Sequence, residues 1–206
     1  MIHLTLPAAD TIEQFLYRQR GESFTYAQQG STANTPPDGF QIDRTYAKIG
    51  HGIEAFRAAK QALETWQQFD LGWVVAQPNE TEIRPGNSVC VIGRAAGMYW
   101  MNACRIIYVV DETTPNPRFG FAYGTLPAHM EAGEERFLVE MDDAGDVWYE
   151  IYAFSRPRRL ITWLTYFYMR VLQKRFHRDS AARMKALACG DVSPADDQPV
   201  AQLSRL

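Results

Sequence analysis

Between Gly72 and Ser155 apolar residues tend to recur at every second position, while on either side they recur at three- and four-residue steps. The period of two predicts strands near Gly72–Val75, Ser88–Ala95, Met98–Val110, Phe119–Thr125, Glu134–Met141 and Val147–Ser155. Pro78, Pro85-Gly86, Pro115–Pro117, Pro127 and Asp142–Gly145 separate them. Consecutive strands with short connections and no helix between them imply a mostly antiparallel meander. Ahead of the strands, Ile53, Phe56, Ala59, Leu63 and Trp66 fall on one face of a helix that starts after Gly50-His51-Gly52. A shorter helix is expected over Thr11–Arg20, with Asp10 or Thr11 as its cap. Gly30–Phe40 is dense in turn residues and reads as an irregular arm or lid. The longest predicted helix runs from Arg158 to Leu187, with Ser155 as cap and Pro157 in the first turn.

Three strands carry more detail. Met98–Val110 is apolar on both faces and belongs in the middle of a sheet. In Glu134–Met141, Glu135 shares a face with Phe137, Val139 and Met141, and the opposite face (Glu134, Arg136, Leu138, Glu140) reads as wet. In Phe119–Thr125 one face holds Phe119, Phe121, Tyr123 and Thr125, and the other only Gly120, Ala122 and Gly124. A face with almost no side chains leaves space, for a closely packed helix or for a cavity. The cavity is the expectation carried forward.

A helix, an antiparallel sheet and a final long helix, in that order, resemble the helix-grip (START/Bet v 1-like) fold, an α+β architecture in which the sheet wraps the C-terminal helix. Local motifs point the same way. Tyr123-Gly124-Thr125-Leu126-Pro127 with His129, Gly133-Glu134-Glu135 with Phe137, and Ala153-Phe154-Ser155-Arg156-Pro157 occur in one order. Together they resemble uncharacterised protein family 0548, a domain of unknown function in bacteria and plants, over roughly residues 24–187. The resemblance implies the domain and brings no reaction, cofactor or catalytic residue. The expected division is an N-terminal segment over 1–50 that packs on the domain, a helix-grip domain over 51–188 and a flexible tail over 189–206. The first segment would cover the cavity or join two copies as a homodimer.

Composition changes this picture little. The chain of 206 residues is 46% hydrophobic and 22% charged, which suits one globular domain with a sizeable core. Its three cysteines, Cys90, Cys104 and Cys189, lack CxxC spacing and read as free thiols in a reducing compartment. The N-terminus lacks the pattern of a signal peptide. The stretch Leu160–Leu172 has 13 residues and contains Arg170, where a bilayer span needs about 20 apolar ones. A cytoplasmic protein is expected. The net charge of -3 is uneven: Arg156–Lys185 carries +8 on an acidic remainder. This basic helix either docks on the acidic body or forms an anion, membrane-surface or nucleic-acid patch. The pI of about 5.8 argues against a dedicated nucleic-acid binder.

Candidate chemistry concentrates in FGFAYGTLPAHMEAGEERF, residues 119–137. Its single imidazole and its carboxylates lack HExxH or CxxC spacing, so no metal is expected, and no cofactor motif occurs. Gly50-His51-Gly52 reads as turn chemistry before it reads as an anion site. Glu135, if buried in an apolar cavity, would have a raised pKa and act as acid or base with His129. Otherwise it pairs with Arg94, Arg105 or Arg156, or sits at a solvated mouth. Trp100, Phe121, Tyr123, Thr125, Tyr152, Trp163 and Phe167 are the candidate lining of a pocket for a hydrophobic or aromatic small molecule or a lipid. The competing reading of each aromatic is an ordinary core residue.

Overall fold

The computed structural model describes residues 1–158 and 166–190. Its largest element is one antiparallel sheet of eight strands. They are β1 (Ile2–His3), β2 (Gln41–His51), β3 (Val74–Gln77), β4 (Ser88–Ala95), β5 (Met98–Glu112), β6 (Arg118–Thr125), β7 (Glu131–Met141) and β8 (Asp146–Pro157). β3 to β8 follow as a meander, and β2 closes the order β2-β8-β7-β6-β5-β4-β3, while β1 pairs with β5. The helices are α1 (Ala9–Tyr17), α2 (Gly52–Glu64) and α3 (Tyr166–Cys189).

The sheet has a core on each face. On the inner face, α2 presents Ala55, Phe56, Ala59, Ala62 and Leu63, the stripe its spacing predicts. These pack with Trp66, Phe69, Phe121, Phe137 and Tyr149, and with Met184 of α3. Each large side chain buried there contributes about 1.5–3 kcal/mol. On the outer face, Ile12 and Phe15 of α1 pack on Cys90, Ile92 and Met101. β4 and β5 therefore bury both faces, which explains the doubly apolar reading of Met98–Val110. Arg105 ties α1 down by donating to the carbonyls of Gln19, Arg20 and Glu22 just past its end.

Several expectations change. Gln41–His51 is a full strand, paired along β8, which the pattern does not predict. Its inner residues Asp43, Thr45 and Ala47 make no apolar stripe. Ser155 and Pro157 belong to β8, so they do not start a helix, and Arg158, the expected first residue, is not helical; residues 159–165, with Trp163, lie outside the described residues. α3 extends to Cys189. Gly52 holds φ +83 and gives its amide to Gly145, a tight turn with that donor already used.

The outer face of β6 and β7 is not wet. An arm over residues 24–34 lies on it. Glu134, only 2% exposed, accepts from the Tyr26 hydroxyl at 2.7 Å, the Gly30 amide at 2.8 Å, the Thr32 amide at 2.9 Å and the Thr32 hydroxyl. Arg136 bridges the Thr32 carbonyl and Glu150, and Glu150 also pairs with Arg44. On the small-residue face of β6, Gly124 points at this arm, and a Cβ on Gly120 would meet the β7 backbone at Phe137. A Cβ on Gly124 would stand 2.4 Å from the Tyr26 hydroxyl oxygen. The missing side chain at Gly124 makes room for the arm, and the cavity lies on the opposite face.

Candidate functional site

A cavity of about 450 Å³ opens between the inner face of the sheet and the first half of α3. Phe69, Trp73, Trp100, Leu172 and Phe176 give it apolar walls. Its space comes from small residues on the strands that meet α3. Gly133 on β7 lies across from Ser155 on β8, and the next inward pair is Glu135 with Ala153. A Cβ on Gly133 would come 2.0 Å from the Phe154 carbonyl oxygen, so the backbone admits only glycine there. The Thr125 hydroxyl accepts from the Gly133 amide at 3.0 Å and lies 3.2 Å from its carbonyl oxygen.

Polar groups gather at this end. The Tyr123 phenol donates to Glu135 Oε2 at 2.6 Å, and His177 Nε2 stands 3.7 Å from Glu135 Oε1. His177 Nδ1 lies 2.9 Å from the Thr45 hydroxyl. Burial first, and the Glu135 carboxylate second, push the Tyr123 pKa well up, so it stays a neutral donor. Two residues before Gly133, Glu131 is 9% exposed and accepts from the Gln173 amide at 2.9 Å. Burial raises its pKa to about 7, against the opposing Gln173 hydrogen bond. Asp43 and Arg170 form a two-pronged ion pair at the same wall. His129 accepts the Glu131 amide at Nδ1, 3.0 Å away, and burial lowers its pKa to about 4. It is a neutral imidazole at pH 7.

The sequence candidates fall in different places. Trp100, Tyr123, Thr125, Glu135 and His129 line the cavity. Phe121 is fully buried in the inner core against Trp66 and Phe137. Tyr152 stacks under the Arg136 guanidinium on the outer face. Phe167 is 87% exposed on α3. The arginines considered as partners of Glu135 do not pair with it: Arg105 lies at the end of α1 and Arg156 over Phe40, while Arg94, over Tyr99, lines the cavity on β4. Glu131, one of the candidate carboxylates of the 119–137 stretch, lines the cavity as well; sequence reasoning missed Gln173 and His177. The spacing of Gln173, Phe176 and His177 puts them on one face of α3, but basic neighbours mask that signal.

The basic residues of α3 are largely committed to the body or to each other. Arg170 pairs with Asp43, Arg183 with Asp70, and Arg175 and Arg178 with Asp179. Among the described residues, no three His, Cys, Asp or Glu side chains converge as a metal would require, and no helix is long and apolar enough to cross a membrane. All three cysteines are free.

A curled antiparallel sheet closed by a long C-terminal helix defines a helix-grip, START/Bet v 1-like protein. Within that class, the chain belongs to the family described as a domain of unknown function (DUF1990), which matches residues 25–183. Its relatives are UPF0548 proteins. One from Arabidopsis thaliana is 35% identical over 148 residues, 70% of this chain and 71% of that one. One from Dictyostelium discoideum is 32% identical over 197 residues, 86% of this chain and 91% of that one. The family thus extends beyond bacteria and plants. Among solved structures, the Zhui aromatase/cyclase from Streptomyces sp. R1128 has a TM-score of 0.52 at 9% identity, covering 76% of this chain and 98% of that one. The protein TTHA0849 from Thermus thermophilus has a TM-score of 0.50 at 12% identity, covering 74% and 100%.

Proposed function

We propose that the protein binds a hydrophobic or aromatic small molecule, or a lipid, in the cavity between the sheet and α3. The observation that carries this reading is the cavity of about 450 Å³ with aromatic walls and a few convergent polar groups at one end. Ligand sites are commonly about 300–1,000 Å³ and built in this way. The helix-grip fold supports the reading by its architecture alone.

Ala153 offers the cleanest test, because it sits on the floor with little side chain to lose. Ala153→Phe should fill the cavity and abolish uptake of the uncharged fluorescent probe N-phenyl-1-naphthylamine, while the circular dichroism spectrum stays native. Undiminished uptake by a folded Ala153→Phe protein would sink the placement.

A further inference from the structure

We propose that the polar end of the cavity is a subsite for a protonated amine, so that the ligand is an aromatic or aliphatic amine with its apolar body against the aromatic walls. This rests on the cavity reading and adds the chemistry of the ligand's head.

The geometry is that of a gap between two carboxyl groups. Glu131, Gly133 and Glu135 alternate along the inward face of β7, and the middle position has no side chain. Beside it, β8 contributes only Ala153 and Ser155. A ligand head that enters this gap lies between both carboxyl groups.

The charge there is incomplete. Among the described residues, no Lys or Arg forms an ion pair with Glu131 or Glu135. Arg170 grips Asp43 with both terminal nitrogens, and its charge reaches Glu131 only at longer range, opposing the effect of burial. The partners present are neutral amide and phenol donors, from Gln173 and Tyr123, with His177 3.7 Å from Glu135. A carboxylate in an apolar enclosure without a cation is costly. A protonated amine offsets that cost with charge-assisted hydrogen bonds. Tyr123 and Phe176, which line the cavity, supply aromatic surface that also favours a cation. The raised pKa of Glu131, driven first by burial, is in keeping with a pocket short of positive charge. A carboxylate-headed ligand would be repelled here. Its alternative is Arg94, on β4, which lines the same cavity three strands from β7.

The test is calorimetric titration of the full chain at pH 7.5 with three probes that share one body: 4-phenylbutylamine, 4-phenylbutan-1-ol and 4-phenylbutanoate. The amine should bind at least about tenfold tighter than the other two, as expected of one charge-assisted contact. Glu135→Gln and Glu131→Gln should each shrink the amine's advantage over the alcohol. Equal binding of amine and alcohol would overturn the amine subsite and leave the cavity reading standing. Tightest binding of the carboxylate would overturn it in favour of a head docked at Arg94. Failure of all three probes to bind would overturn both. The wild-type comparison decides the matter even where a variant does not fold.

Discussion

Glu131 and Glu134 stand three residues apart on β7 and meet opposite environments. Glu131 faces the cavity with one amide partner, and burial takes its pKa from an ordinary 4.5 to about 7. The folded protein therefore holds a proton between those values that the unfolded chain has released. Its contribution is intact below pH 4.5 and is lost as pH rises through 7. Glu131→Gln removes this loss. The variant should match wild type near pH 4 and exceed it by roughly 3 kcal/mol at pH 8, measured by urea unfolding at both values. A constant difference between the two proteins across that range would show that Glu131 does not titrate as described. Alternation alone placed Glu135 inside and Glu134 outside. It did not place Glu131, a candidate carboxylate, on the same inward face, because Ala132 and Gly133 are weak strand formers and hide the true start of β7.

At the scale of elements, the arm over residues 24–34 shows how a one-faced reading of a strand fails. The pattern Glu134, Arg136, Leu138, Glu140 reads as solvated, yet Glu134 and Leu138 are buried. Nothing in β7 itself announces the distant segment that covers it. Glu134 binds that segment with four donors. Glu134→Ala should strand the Tyr26 hydroxyl and the Gly30 and Thr32 amides, at a cost of about 3 kcal/mol or more. Hydrogen exchange at those two amides should quicken roughly a hundredfold, while α2 keeps its protection. Unchanged exchange in the arm would mean that Glu134 is not its latch. β2 was hidden for a related reason. Its inward residues Asp43 and Thr45 meet the polar groups Arg170 and His177 of α3, so the strand carries no hydrophobic stripe to read.

At the scale of the molecule, the order of elements was legible because period and turn residues agree along β3 to β8 and α2. The small face of Phe119–Thr125, from which a cavity was expected, lies on the other side of the sheet from the open space. Small residues make room, but only packing decides what enters: on β6 the arm fills it, and on β7 and β8 it stays open beneath α3. The central claim is that this open space holds a small molecule. Native mass spectrometry of freshly purified protein, wild type beside Ala153→Phe, tests it most directly. The account predicts a discrete added mass on the wild type that is lost on denaturation and is absent from the variant. An unliganded mass for both proteins, together with no uptake of the uncharged N-phenyl-1-naphthylamine by the wild type, would contradict it.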